Sequence, residues 1–399
     1  MTEAFDLNLK HLRALNLIAT LGSVSAAANA VGLSQPALTQ GIAKLEAQFG
    51  AVLFDRRPHG VVPTGAGSKI LARVERAMAR LSRNIAAASA RPRAIMPANN
   101  LTSAQLRAFL SFAEAGSFVG AAQTLGLSEP AVHRAVRELE RLCNSPLIVR
   151  RGRGVGLNET GRALASGFAL AVSELNAALQ EAARQRGHLA IGAMALSRSR
   201  LVPVTLAELT QAFPGAAIDV VEGSHVELIE FLRAGSIDVI IGALREQPPA
   251  DLAQEILLLD RITVIGRAGH PLANACPGLQ DLALYPWIVG RRTSPLLEQW
   301  QQLFDEAGVE RPRAPIRCGS VTTIRGLLAH SDFLTLLSRD QVSAEIEAGL
   351  LVPIRCTVPD TMRTIGAVTR RDWYPTDLQR RFMDLLRTAA SARRPQEIE

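Results

Sequence analysis

Paired cysteines are absent from this chain. Its four thiols, at 143, 276, 318 and 356, stand apart, with no C-x-x-C spacing and no histidine cluster beside them. That argues against a structural zinc site and leaves single buried thiols as the expectation. No run of about 18 apolar residues is present, so no segment is suited to crossing a bilayer. A charged-then-apolar leader is missing at the start, so a reduced, cytoplasmic location with no membrane partner is expected. Catalytic signatures are equally scarce: there is no Gly-x-Ser-x-Gly elbow, no His-Glu-x-x-His and no obvious acid pair. The chain reads as a non-enzyme that needs no metal or cofactor.

What is present is self-similarity. Leu12-Arg13, Gly22-Ser23, Ser34-Gln35-Pro36-Ala37 and Leu45-Glu46 recur 94 residues later as Leu106-Arg107, Gly116-Ser117, Ser128-Glu129-Pro130-Ala131 and Leu139-Glu140. The match continues to Phe54-Asp55-Arg56-Arg57 against Ile148-Val149-Arg150-Arg151. It then reads as slipping by two, with Thr64-Gly65 against Thr160-Gly161. Charge follows the repeat. Residues 1–186 hold 22 Lys and Arg against 12 Asp and Glu, an excess of ten, whereas residues 187–399 hold 22 against 25. A basic face on the repeated half is the electrostatic footprint of a nucleic-acid binder. At 399 residues, 48% of them hydrophobic, there is room for two or three domains.

In the first copy, Leu9, Leu12, Leu15 and Ile18 predict an amphipathic helix. Ser23 or Ser25 can cap a short helix faced by Ala26-Ala27-Ala28, and Gly32 supplies a tight turn. Ser34 caps a third helix with Pro36 in its first turn, where a missing N–H costs little. Leu38, Ile42 and Leu45 point inward, which leaves Gln35, Pro36, Thr39, Gln40 and Lys44 on the outer face. This is the helix-turn-helix design, whose second helix enters the major groove by its N-terminal residues. Leu53-Phe54 and Val61-Val62 bracket a basic turn and predict two short strands, a wing. Arg56 and Arg57 would then lie against phosphates or the minor groove. A helix follows to about Ala90, with Ile70, Val74, Leu81 and Ile85 on one side and Arg73, Arg76, Arg80 and Arg83 interleaved. A stripe this long with no local partner implies pairing with another helix.

Residues 91–100 predict a linker. In the second copy Ser128 caps the recognition-like helix, with Pro130 in its first turn. Val132, Val136 and Leu139 point inward, and Glu129, His133, Arg134 and Arg137 outward. Gln35 is matched by Glu129 and Thr39 by His133. Gln can pair with adenine, whereas Glu can only accept, as from a cytosine amino group, so the two copies should read different bases. The second wing carries Arg150 and Arg151 in a more basic, glycine-rich turn. It is not a dinucleotide loop, because no helix opens directly after it. A second long helix runs from about 159 to 186 on Leu164, Phe168, Val172, Leu175 and Leu179.

From Gly187 short apolar runs alternate with helical stretches: 189–192, 217–221 and 237–241 read as strands, Leu201–Phe213 and Val226–Leu232 as helices. This alternation predicts a parallel sheet with helices on both faces and a ligand site beyond the strand ends. The apolar run 256–266, carrying Asp260-Arg261, and the strand 364–368 would link two lobes around a cleft. The candidate ligand contacts are Ser197, Arg198, Ser199, Ser224, Thr293, Ser294, Thr322 and Thr323. Hydroxyls beside free helix N–H groups suit a small anion, although each alone could be only a cap.

These residues resemble the LysR-type transcriptional regulators. The pattern Gly-Ser-x-x-x-Ala-Ala, Ser-Gln-Pro-Ala-x-(Ser/Thr), Leu-Glu, Leu-Phe-x-Arg, Thr-x-Ala-Gly stands at 22–67, and Phe213-Pro214, Glu222-Gly223 and His270-Pro271-Leu272-Ala273 are similar to the family's C-terminal half. The resemblance implies two all-α winged helix-turn-helix modules with linker helices, followed by an α/β two-lobed effector domain of the periplasmic-binding-protein type. It implies effector contacts near Ser197, Ser199, Ser224, Thr293, Thr322 and Thr323. The expected divisions are 1–66, 67–90, 91–100, 101–160, 161–186 and 187–392, with lobe I at 187–260 and 361–392 and lobe II at 264–355. Two winged modules in one chain depart from the family's single one. Gln40 stands where the family often has Arg, and Glu129 where it has Gln.

The implied activity is effector-responsive, sequence-specific DNA binding that regulates transcription. Its partners would be double-stranded DNA, a small anion or sugar as effector, and further copies of the chain, with RNA polymerase an open candidate. Running antiparallel, the two long helices could instead make one chain an internal pseudo-dimer: a ten-residue linker reaches about 33 Å, and a 24-residue helix spans about 36 Å. Two alternatives stand beside this: a small-molecule-binding protein of solute-binding fold, and a second module that serves only as spacer or partner surface.

Overall fold

The computed structural model describes residues 2–58, 60–89, 100–151, 154–182, 187–292, 294–356 and 362–392. Of the expected linker, only Asn100 is among them. The N-terminal half has one element set twice. The first is Leu9–Leu21 (α1), Val24–Val31 (α2), Gln35–Phe49 (α3), the hairpin Phe54–Arg57 (β1) and Gly60–Pro63 (β2), and Gly65–Ala88 (α4). The second is Ser103–Ala115 (α5), Phe118–Leu125 (α6), Glu129–Cys143 (α7), Ile148–Arg151 (β3), Gly154–Leu157 (β4) and Glu159–Ala182 (α8). Each module therefore carries a two-stranded hairpin and is not purely helical.

The offset of 94 holds throughout, so the expected slip of two residues is corrected. Thr64 Oγ1 donates to the Val52 carbonyl at 2.7 Å and accepts from Gly67 N at 2.8 Å. Asn158, not Thr160, repeats both roles, with Nδ2 donating to the Pro146 carbonyl at 2.8 Å and Oδ1 accepting from Gly161 N at 2.7 Å. Likewise the Glu46 and Glu140 carboxylates accept from Leu53 N and Leu147 N, both at 2.8 Å. A cap can be Thr or Asn because the geometry asks only for an acceptor and a donor. The slip was an artefact of matching letters.

Helices α4 and α8, 24 residues each, lie antiparallel: Arg73 meets Glu181, while Asn84 lies against Gly167. Ile70, Val74, Ala77, Leu81 and Ile85 share one buried core with Leu164, Phe168, Ala171, Leu175 and Ala178 and with the inner faces of both modules. Two of the four interleaved arginines, Arg73 and Arg80, are buried in this pairing.

The C-terminal half holds His188–Ala193 (β5), Leu201–Ala212 (α9), Ala217–Glu222 (β6), His225–Ala234 (α10), Val239–Ala243 (β7) and the long Leu252–Arg267 (β8). There follow Leu279–Ala283 (α11), Trp287–Val289 (β9), Pro295–Asp305 (α12), Ile316–Arg317 (β10), Val321–Ala329 (α13), Leu334–Ser338 (β11), Ser343–Glu347 (α14), Leu351–Pro353 (β12), Met362–Arg370 (β13) and Asp377–Ser391 (α15). The strand order is β10-β9-β11-β8-β13-β7-β5-β6, with β12 beside β8. The expectation of a parallel sheet is half met. β5 runs parallel to β6 and β7, but β13 returns from the second lobe and inserts antiparallel between β7 and β8, which makes the sheet mixed. β8 serves both lobes: residues 252–261 pair with β13, and residues 262–265 with β11.

Only one of the four thiols meets the expectation of burial, and Cys318 and Cys356 are half-buried. Cys143 is buried, and desolvation, reinforced by Glu140, pushes its pKa up to about 11, but Cys276 is exposed.

Two outcomes follow. A Cβ at Gly67 would fall 2.0 Å from the Leu53 carbonyl oxygen, and one at Gly161 would fall 2.3 Å from that of Leu147. Gly67→Ala and Gly161→Ala are each expected to cost about 2–3 kcal/mol in urea unfolding, because backbone cannot yield as a side chain does. Second, a Cβ at Gly41 would touch the His11 ring at 2.7 Å, so α1 and α3 meet there. Burial, then Lys44 and Lys10, hold the His11 imidazole below its ordinary value of 6.5. The unfolded chain takes up that proton first. This contribution is complete above pH 6.5 and lost as pH falls below it. Protection factors of the α1 amides, corrected for the intrinsic pH dependence of exchange, should fall on acidification, and His11→Gln, the residue the second module carries at 105, should flatten that dependence.

Candidate nucleic-acid interface and effector cleft

In the first module Ser34 caps α3 by accepting from Ala37 N at 3.3 Å, with Pro36 in the first turn. Gln35, Pro36, Thr39, Gln40 and Lys44 are exposed, while Leu38 and Leu45 are buried beneath them. The Thr39 hydroxyl donates to the Gln35 carbonyl at 2.9 Å, so it lies along the helix. The hairpin is docked on the end of α1: Val61 N donates to the Gly22 carbonyl at 3.0 Å. Gly60, at φ +132°, lies so close that a Cβ would stand 2.5 Å from the same oxygen. Arg56 and Arg57 are exposed on this hairpin.

The second module keeps the frame and changes the surface. Glu129, Pro130, His133, Arg134 and Arg150 are exposed. The Ser128 hydroxyl makes no capping bond, contrary to its expected role. His133 is not a free outward ring. It packs against Phe118, with centroids 4.9 Å apart and ring planes tilted by 52°, where the first module has Val24. Arg137 is drawn back to Glu140 at 2.9 Å. The Arg151 side chain lies outside the described residues.

In the C-terminal half the candidates separate into structural and available groups. Ser197 is buried, its hydroxyl 2.9 Å from both the Met194 and Ile241 carbonyls. It holds a turn. Arg198 is ion-paired with Glu222 on β6, and Ser199 is half-buried. Ser224 caps α10 and donates to Glu227 at 2.7 Å. Hydrogen bonds from Ser224, and more weakly the Arg291 charge, hold the Glu227 carboxyl below its ordinary range. Ser294 precedes α12 with no capping bond, so its hydroxyl is not used by its own helix. Thr322 and Thr323 are exposed, but they do not start their helix. Ser320 does, accepting from Thr323 N at 3.3 Å. Thr293 lies outside the described residues.

Sequence reasoning noted Asp260 but not its partners, and it passed over Arg200 and Asp340. Arg200, before α9, lies 3.7 Å from Asp340 of the second lobe. Asp260, fully buried where β8 changes lobes, accepts from Arg363 at 2.7 Å and from Ser338 at 2.5 Å. The one visible signal was a charged pair inside an apolar run. Among the described residues no three His, Cys, Asp or Glu side chains converge as a metal site, and no helix is long and apolar enough to cross a membrane.

Comparison with known proteins agrees with this geometry. The family model "Bacterial regulatory helix-turn-helix protein, lysR family" matches residues 9–68 and again 103–162, and "LysR substrate binding domain" matches 182–391. The chain is 32% identical over 371 residues to the HTH-type transcriptional regulator GalR of Pseudomonas putida, covering 91% of this chain and 92% of that protein. It is 30% identical over 295 residues to the regulator PcaQ of Agrobacterium fabrum, covering 71% of this chain and 94% of that one. A full-length OxyR variant from Pseudomonas aeruginosa shares the fold at a TM-score of 0.56 and 21% identity, over 73% of this chain and 95% of that chain. These relatives are regulators rather than enzymes, and this chain belongs with them, in the LysR family of effector-responsive, DNA-binding transcriptional regulators.

Proposed function

We propose that a single chain works as an internal pseudo-dimer, with two winged modules held on the antiparallel α4–α8 pair and one effector unit beneath them. The observation that carries this is the pairing itself, in which helices of the two repeats bury one continuous stripe within one polypeptide. In this reading the divisions 1–66, 67–90, 101–160, 161–186 and 187–392 are functional units, and the protein acts in the cytoplasm.

The DNA-facing residues are Ser34, Gln35, Pro36, Thr39, Gln40, Lys44, Arg56 and Arg57 in the first module. In the second they are Glu129, Pro130, His133, Arg134, Arg150 and Arg151. Since Gln35 and Glu129 differ in what they accept and donate, the operator is asymmetric. The effector is a small anion lodged between the lobes. It is held by the hydroxyls of Ser199, Ser224, Ser294, Thr322 and Thr323 with the guanidinium of Arg291, while Ser197 and Arg198 shape the wall. A sugar is the neutral competitor, and a thermal-shift screen of carboxylates against sugars separates the two. RNA polymerase is the partner through which bound protein would act.

A second reading has its own support. Glu129 at the reading position and His133 held by Phe118 both suit a module that positions its neighbour without touching bases. Arg56→Ala and Arg150→Ala, equivalent wing positions, decide between them. Each is expected to weaken binding at all sequences and to reduce the salt slope by about one. An Arg150→Ala chain that binds like the parent would make the second module a spacer. Footprinting with mass by light scattering should find one chain on a non-palindromic site. A palindromic site filled only by two or more chains would refute the internal pseudo-dimer.

A further inference from the structure

We propose that charge makes α4 a surface for α8 of its own chain and bars it from pairing with a second α4, whether from another copy or from a regulator whose linker helix resembles it. Arg80 and Glu174 are equivalent positions, 94 residues apart, and they face each other at 4.0 Å. They therefore straddle the axis that relates the two halves. Arg76 adds a contact to Glu174 at 3.3 Å. Arg73, whose side chain is 1% exposed, reaches Glu174 at 3.3 Å and Glu181 at 2.8 Å.

Exchanging α8 for a second α4 in this arrangement sets Arg80 against Arg80. Arg73 would then face Ala87 and Arg80 in place of Glu181 and Glu174. A second α8 in place of α4 sets Glu174 against Glu174. Like charges brought together in this seam with Glu174 and Glu181 gone, or with Arg73 and Arg80 gone, are short of counter-charge and disfavoured, so both homotypic pairs lose to the heteropair. Sterics point the same way. The α8 equivalent of Arg73 is Gly167, where even a Cβ would fall 2.0 Å from Asn84 Oδ1. An arginine at that place would have to displace the Asn84 side chain.

A third side of the cage also comes from this chain. The segment 371–376, between β13 and α15, offers the Tyr374 carbonyl to Arg73 at 3.0 Å and the Asp372 carbonyl to Arg76 at 2.5 Å. The Asp372 carboxylate meets Arg80 at 2.6 Å. The Tyr374 ring lies under both Arg73 and Arg76 at 4.9 Å.

The inference rests on the internal pseudo-dimer only in taking α4 and α8 as paired in solution, and its test involves no DNA. In the full chain carrying Cys276→Ser, Cys318→Ser and Cys356→Ser, the pair Asn84→Cys with Gly167→Cys is oxidised. The expected product is a disulfide within one chain; a covalent dimer, or no cross-link, overturns the proposal. Adding Glu174→Gln and Glu181→Gln should slow that cross-link at least about tenfold, since the buried arginines lose their counter-charges. A change below about twofold overturns it. Because that chain could unfold, a second variant replaces Arg73, Arg80, Glu174 and Glu181 with Leu, a seam that closes on apolar contact alone. Light scattering should show its mass rising with concentration above that of the parent. An unchanged mass would mean that the charges do not select the partner.

Discussion

The arrangement depends on one buried cation. The Arg73 guanidinium is removed from water and bonds to Glu181 twice, to Glu174 and to the Tyr374 carbonyl. Those partners belong to α8 and to the segment between β13 and α15, while the arginine belongs to α4. Desolvating a guanidinium is costly, and removing any partner leaves a charge uncompensated. In the proposal made above, the contribution of such a cage is specificity more than stability: the apolar stripe holds the helices together, and the cation selects the partner helix and its register. In the structure, Arg73 of α4 is satisfied jointly by α8 and by the segment before α15.

Much of the first half was legible because its signals are local. Ser23 and Ser34 cap, Pro36 sits where no N–H is needed, and small residues at Ala27 and Ala28 let helices approach. Helix pairing was legible from the unpartnered stripe. Identity of letters fails where the same chemistry is kept by a different residue: Asn158 stands for Thr64 because both close the same two bonds. The buried arginines were invisible for a related reason. On a helix that also bears Arg76 and Arg83, nothing in the sequence marks Arg73 and Arg80 as enclosed until α8 and the distant Asp372 and Tyr374 are placed around them.

The effector half was legible in strand content but not in strand direction. Alternating strands and helices imply parallel pairing, yet the choice of slot for a returning strand depends on contacts far apart in sequence. β13 enters between β7 and β8 and turns the sheet mixed. The candidate contacts suffered from the same distance. Every Ser and Thr near a strand end looks alike in sequence, and only the fold separates Ser197, used up between two carbonyls, from Ser294, whose hydroxyl caps nothing. Asp260 belongs with them. Its charge inside an apolar run was visible, but its partners Arg363 and Ser338 were not.

The repeat duplicates the reading modules and their helices but not the two-lobed unit that follows them. One cleft thus serves two winged modules, where a pair of ordinary family members would bring two clefts to the same two modules. Cooperativity between binding sites needs at least two sites coupled through a shared equilibrium. Under the internal pseudo-dimer proposed above, one chain would carry one effector site and respond hyperbolically, with sharpness available only by assembling chains. Such a chain would give up steepness and gain a fixed ratio of one ligand to one pair of winged modules.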